Sequence, residues 1–123
     1  AIDNQRAVIW SRLAQTYRKD QQLKNAESTA LEAIRLATNN INYTLNYLRI
    51  VQNSKAPTAF LAELETAYAR FPLSPEITLS LARAYQRIST DVNAARQFYR
   101  RFIEIAPAHP LRPEAESALQ MLQ

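Results

Sequence analysis

Residues Trp10 to Ala33, WSRLAQTYRKDQQLKNAESTALEA, have the clearest helical pattern in the chain. Its first half places apolar residues three and four apart, the spacing of one helix face: Trp10, Leu13, Ala14 and Tyr17. Its second half spaces small residues in the same way: Ala26, Ala30 and Ala33. Small side chains let two helix backbones approach closely, and bulky ones fill the remaining space. We therefore expect two short antiparallel helices, with the face of Trp10, Leu13, Ala14 and Tyr17 in the core.

The rest of the chain repeats this pattern. Thirty-four residues on, a weaker series appears: Thr44, Tyr47, Leu48, Val51, Phe60, Leu64 and Ala67. A third copy begins with Leu81, Ala82 and Tyr85, and the stretch after Tyr85 is one residue longer, so Ala95, Phe102 and Pro107 become the equivalents. The period predicts a single domain over residues 1–123, made of three helical hairpins at 7–40, 41–74 and 75–109.

Helix start and stop signals give about seven helices. Asp3 or Asn4 is expected to cap the first helix, and Asp20 to open the second. Ser74, Pro75 and Glu76 form a strong start, with a capping hydroxyl, a proline in the first turn and a carboxylate near the positive helix end. A last helix at 113–122 is expected to cover the apolar end of the stack. The expected ranges are about 4–19, 20–37, 41–53, 57–70, 75–88, 91–106 and 113–122.

Composition narrows the classes of function. The 123 residues include no glycine and no cysteine, which excludes disulfides, thiolate metal sites and the usual glycine-rich phosphate loop. The net charge of +4 is too small to argue alone for nucleic acid. No apolar run approaches the roughly 18 residues of a membrane span. The composition is compatible with both a cytoplasmic and a periplasmic protein.

Catalytic residues are sparse. His109 is the only histidine and lies in a proline-rich turn, whereas a metal site needs several converging ligands. The carboxylates of Glu63 and Glu65 are two residues apart, as are those of Glu114 and Glu116, so each pair points to different helix faces. We expect no enzyme activity, no cofactor and no metal.

The chain resembles the tetratricopeptide repeat family in four features. These are the 34-residue period, the series of Trp, Leu, small residue and Tyr in the first helix, the alanines of the second helix, and the proline between repeats. The first unit fits best, and the second departs at Leu48 and Phe60. The resemblance implies an all-α superhelix of antiparallel helical hairpins. It also implies a scaffold or peptide receptor whose concave groove is lined by the first helix of each repeat.

Side chains on those first helices about 100° from the packing face form the predicted binding stripe. Its members are Val8, Ser11, Gln15 and Arg18, then Asn42, Leu45, Arg49 and Gln52, then Glu76, Leu79, Arg83 and Gln86. Gln15, Arg49 and Arg83 are expected to form a row of donors for carboxylates or carbonyl groups. Leu45 and Leu79 either form an apolar patch beside that row or pack against the neighbouring repeat.

The stripe favours another protein or peptide with acidic and apolar character as the partner, and no small-molecule substrate. In the family's two-carboxylate clamp, the matching places hold here Ser11, Gln15, Asn46, Glu76 and Ser80. Only Asn46 agrees, and Glu76 would repel a carboxylate, so binding of a chaperone tail is not expected. Two alternatives stay open. One is self-association through an exposed apolar end; the other, less favoured, is single-stranded RNA binding through Arg83, Arg87, Arg96, Arg100 and Arg101.

Overall fold

The computed structural model describes residues 2–123, with side chains from residue 5 onward. These residues form seven α-helices and no strand, which confirms the all-α prediction. The chain divides into two compact units, residues 1–56 and 57–123. The prediction of one domain with repeats at 7–40, 41–74 and 75–109 stays a prediction.

The first unit contains α1 (Ile2–Lys19), α2 (Leu23–Leu36) and α3 (Ile41–Ser54). The expected cap at Asp20 is wrong, because the backbone turns over residues 20–22 with Gln21 at φ 60° and α2 begins three residues later. Asn40 caps α3, since its side chain accepts the backbone N–H of Asn42 at 3.0 Å. The expected caps Asp3 and Asn4 have side chains outside the described residues.

Small residues allow α1 and α2 to pack closely, as predicted. Ala14, Ala26 and Ala30 are fully buried, and Ala33 is 1% exposed. α3 packs on α2 and brings Ile50 into the core. The expectation that Leu13 belongs to this core is wrong: it is 37% exposed. Ile9, on the same side of α1, is also exposed.

The second unit contains α4 (Pro57–Arg70), α5 (Pro75–Ala84), α6 (Val92–Ile105) and α7 (Arg112–Met121). The predicted start of α5 is confirmed: Ser74 is the N-cap and its hydroxyl accepts the N–H of Ile77 at 3.3 Å. Asp91 caps α6 in the same way, accepting the N–H of Ala94 at 3.0 Å. Both caps satisfy amides that the first helical turn leaves without a partner.

A π-helical turn, Tyr85–Ser89, follows α5. This is where the sequence has its one extra residue relative to the first repeat. A π-turn holds one more residue than an α-turn, so the addition is taken up inside the helix. Thr90, at φ 53°, then ends the turn in the left-handed region and leads into α6.

Aromatic residues of α6 form the core of the second unit. Tyr99 and Phe102 are at most 1% exposed and pack with Ala82 of α5 and with Ala115 and Ala118 of α7. The predicted last helix is therefore present, and its buried residues Ala115 and Ala118 cover α6.

Candidate partner-binding surface

In the first unit, α1 and α3 lie against each other and carry the first eight residues of the predicted binding stripe. Ser11 of α1 and Asn46 of α3 are 8% and 5% exposed. The Asn46 side-chain amide donates to the Ser11 hydroxyl at 3.4 Å. The side chains of these two predicted site residues therefore connect α1 and α3. A ligand would contact the exposed side chains around them.

The exposed part of this surface is polar. Gln15 on α1 and Asn42, Arg49 and Gln52 on α3 are exposed, whereas Leu45 is half-buried. Val8 is 36% exposed at the edge of the same stripe. We call Gln15, Leu45, Arg49 and Gln52 the α1–α3 surface. It offers amide and guanidinium donors around one partly covered apolar side chain.

Arg18 lies half-buried at the C-terminal end of α1. Its Nε is buried and has no hydrogen-bond partner among the described residues. A buried N–H without an acceptor is unfavourable, so an incoming carbonyl or carboxylate oxygen would be stabilised there.

In the second unit, the stripe residues of α5 are engaged within the protein. Leu79 is 2% exposed and packs in the core beside Tyr99 and Ala115. Of the two possibilities left open for Leu79, the structure has the packed one. It cannot serve as a free apolar anchor, because α6 and α7 already cover it.

Arg83 makes a bidentate ion pair with Glu114 of α7. Its Nε and Nη2 donate to the two carboxylate oxygens, both at 2.6 Å. These hydrogen bonds hold the pKa of Glu114 below, and that of Arg83 above, the ordinary values. The row of Gln15, Arg49 and Arg83 stays a prediction. One of its members, Arg83, already binds a carboxylate of its own unit.

Gln86 and Glu76 also have partners inside the second unit. The Gln86 side-chain oxygen accepts the Tyr99 hydroxyl at 2.6 Å. Burial raises the pKa of this tyrosine, so the hydroxyl stays protonated and donates. Glu76 accepts the Ser74 hydroxyl at 3.2 Å and reinforces the start of α5.

Two of these partners were missed by sequence reasoning. Glu114 follows Leu79 by 35 residues, the lengthened period of the third repeat, so it occupies the stripe position of a further first helix. Aligning α7 as such a helix, and not only as a cover, would have paired it with Arg83. Tyr99 carries no comparable signal, because its hydroxyl partner depends on the π-turn.

The alternative RNA site consists of five arginines of the second unit: Arg83, Arg87, Arg96, Arg100 and Arg101. Arg96 donates to the carbonyl of Leu122 at 2.6 Å and to Asn93. Arg101 pairs with Glu104 at 3.5 Å. With Arg83 bound to α7, three of the five thus have partners within their own unit, which lowers their availability for phosphates.

Within the described residues, no group of three or more histidine, cysteine or acidic side chains is arranged to hold a metal ion. His109 has a structural role: its Nδ1 accepts the N–H of Leu111 at 3.0 Å, and its ring packs on Phe102. None of the helices between residues 2 and 123 has the length and apolarity that crossing a bilayer requires.

Residues 7–40 match the tetratricopeptide repeat family. The N-terminal domain of stress-induced protein-1 from C. elegans has a TM-score of 0.81 at 18% identity, covering 99% of this chain and 98% of that one. The first tetratricopeptide domain of Spaghetti (RPAP3), bound to the HSP90 peptide SRMEEVD, has a TM-score of 0.74 at 16% identity, covering 97% and 91%.

The Yersinia enterocolitica type III secretion chaperone SycD, in complex with a peptide of the translocator YopD, has a TM-score of 0.76 at 12% identity, covering 92% of this chain and 88% of that one. A comparison with curated proteins gave no match. The repeat is thus identified by sequence in the first hairpin and by fold along the described chain. The seven helices of residues 2–123 thus share the fold of solved tetratricopeptide repeat domains, and the first hairpin also matches the repeat by sequence.

Proposed function

We propose that this chain is a protein-interaction module and that its α1–α3 surface binds a peptide segment of another protein. The observation that carries the proposal is the polar surface of Gln15, Arg49 and Gln52, which the Ser11–Asn46 hydrogen bond supports from below. Their side chains are exposed, and the residues beneath them already have partners. The helix backbones that carry these side chains are therefore held in place before a ligand binds, which lowers the ordering cost of binding.

The chemistry of the surface favours an acidic segment with one apolar side chain. Arginine and glutamine N–H groups donate to carboxylates and to backbone carbonyls, and arginine can contact a carboxylate through two parallel hydrogen bonds. Leu45 of α3 offers a half-buried apolar contact. Arg18 of α1 offers a side-chain N–H that has no acceptor among the described residues. Leu79, Arg83 and Gln86 are left out of the proposed contact because the second unit uses their side chains.

Solved proteins of the same fold support peptide binding as the general mode. Spaghetti holds an HSP90 peptide and SycD a YopD peptide. At 16% and 12% identity they do not indicate which peptide this chain prefers. Glu76 and Ser80 at two clamp positions favour a ligand other than a chaperone tail.

The test is selection of binders from a random 12-residue peptide library, followed by fluorescence anisotropy with the enriched peptides. We expect enrichment of Asp, Glu and one large apolar residue. The double variant Gln15→Ala, Arg49→Ala should bind about ten-fold more weakly and with a smaller salt dependence, because it removes charge-assisted donors. Arg100→Ala removes an exposed arginine of α6 and serves as the matched control.

Equal affinity of the double variant and the wild-type protein would remove the α1–α3 surface from the proposal. Failure to enrich any peptide would count against peptide binding itself.

A further inference from the structure

The side of α1 that faces away from α2 and α3 carries exposed apolar residues. Ile9 is 65% exposed and Leu13 is 37% exposed, with Trp10 and Tyr17 half-buried beside them. We call these four residues the outer face of α1. It lies on the opposite side of the helix from Ser11, and so it is distinct from the α1–α3 surface.

Along the 34-residue period the same positions are buried elsewhere, except at Tyr43, which corresponds to Ile9 and is half-buried. Tyr47, which corresponds to Leu13, is 5% exposed, and Leu81 is 1% exposed. Ile77, which corresponds to Ile9, is fully buried. Apolar residues at these two positions therefore contribute to helix packing in α3 and α5, whereas in α1 Ile9 and Leu13 are exposed.

Second helices of a hairpin pack on the first helices that carry these positions. Within the first unit α3 packs on α2, and within the second unit α5 packs on α4. The shape that fits the outer face of α1 is therefore an α-helix with a continuous apolar side.

Charge limits the identity of that helix. Between residues 5 and 19, α1 contains Arg6, Arg12, Arg18 and Lys19 and no acidic residue. Arg12 and Lys19 are exposed along one edge of the outer face, at about 60–80° from Ile9. Arg6 lies within the outer face, about 20° from Leu13 around the helix axis, and near Glu32, whose carboxylate is bound by Arg35. A matching helix would carry carboxylates beside its apolar side.

Helix α4 shows this pattern within the chain itself. Leu61, Leu64 and Ala67 form its buried side. At 100° per residue, Glu63 and Glu65 lie on opposite edges of that side. α4 covers α5, and a helix of the same design would suit α1.

We propose that the outer face of α1 docks an amphipathic α-helix of another protein whose apolar side is flanked by carboxylates. A second copy of this chain fits less well through the same face, because two outer faces would bring the Arg12 and Lys19 side chains of both copies together. The occupant is thus an acidic helix.

The probe is a fluorescein-labelled, end-capped peptide with the sequence of residues 57–70, titrated with the full chain and followed by anisotropy. The double variant Ile9→Ser, Leu13→Ser should bind at least about ten-fold more weakly, since desolvated apolar anchors dominate such interfaces. Leu73→Ser, Met121→Ser is the control; these apolar side chains are 69% and 79% exposed elsewhere, and it should bind as the wild type does.

A charge exchange gives a second readout. Arg12→Glu should weaken binding of the peptide about three-fold or more, and a peptide with Glu63→Lys and Glu65→Lys should bind this variant better than it binds the wild type. Absence of binding, or equal binding to the Ile9→Ser, Leu13→Ser variant, would overturn the proposal. A concentration-dependent dimer in sedimentation equilibrium that this variant abolishes would overturn it in favour of a second copy.

Discussion

Replacing Glu114 by glutamine tests the ion pair that joins α5 and α7. Opposite unit charges about 4 Å apart attract by about 1 kcal/mol in water and by about 4 kcal/mol at an effective dielectric constant of 20. The side chains of Arg83 and Glu114 are 32% and 39% exposed. Screening by solvent and the ordering of two side chains reduce the net contribution to about 0.5–1 kcal/mol. Glutamine keeps one acceptor for Arg83, so the variant removes mainly the charge.

The expected loss in the free energy of unfolding should depend on pH. Hydrogen bonds from Arg83 lower the pKa of Glu114 from its ordinary value of 4.5. As the pH falls, the unfolded chain therefore binds a proton at this carboxyl before the native protein does. The stabilisation is complete above the unfolded pKa and is lost as the pH falls through the folded pKa. The difference between wild type and Glu114→Gln should be full at pH 7 and should shrink below about pH 4.

Urea unfolding followed by circular dichroism at pH 7 and at pH 3 measures this difference. Glu116→Gln on the same helix is the control, because its partner Arg112 lies one turn away on an exposed surface, at 2.9 Å. That variant should lose no more than about 0.5 kcal/mol. The reasoning is refuted if Glu114→Gln unfolds at the wild-type urea concentration at pH 7, or if its deficit is the same at both pH values.

Three further changes should alter stability by different amounts, each measured by urea unfolding at pH 7. Phe102→Ala opens a cavity at a fully buried position and should cost about 3–5 kcal/mol; a loss under 1 kcal/mol would contradict its place in the core. Ser74→Ala removes the cap that accepts the N–H of Ile77 and should cost about 1 kcal/mol, whereas Ser74→Asp should restore most of it. Tyr99→Phe leaves the Gln86 side-chain oxygen without its donor and should cost about 1 kcal/mol. If the variant is as stable as the wild type, this hydrogen bond makes no net contribution.

Local signals in the sequence predicted much of the fold. Pro57 and Ser74 marked the starts of α4 and α5 correctly, because a proline or a capping hydroxyl acts through the backbone of its own helix. Asp20 failed as a start signal, since the left-handed turn at Gln21 delays α2. The sequence pattern does not show which of the polar residues between two helices takes the left-handed conformation.

The candidate site was harder to predict, because its residues depend on contacts between helices distant in sequence. Helical spacing placed Leu79 and Leu45 in equivalent positions, yet Leu79 is buried and Leu45 is half-buried. Leu79 is more buried than Leu45 because α6 and α7 pack on it. The repeat pattern of the first helices gives no information about those contacts. Leu13 shows the reverse: its pattern indicates a core residue, but the side chain is exposed.

The π-turn at Tyr85–Ser89 shows how this repeat tolerates a change in length. Each residue added to a regular α-helix rotates everything beyond it by about 100°. An insertion would then aim the following segment away from its neighbours, unless a widened turn restores the original direction. The wider turn lets a single-codon insertion persist without repacking the hairpin, so sequence alignments of such repeats should allow gaps inside helices as well as between them.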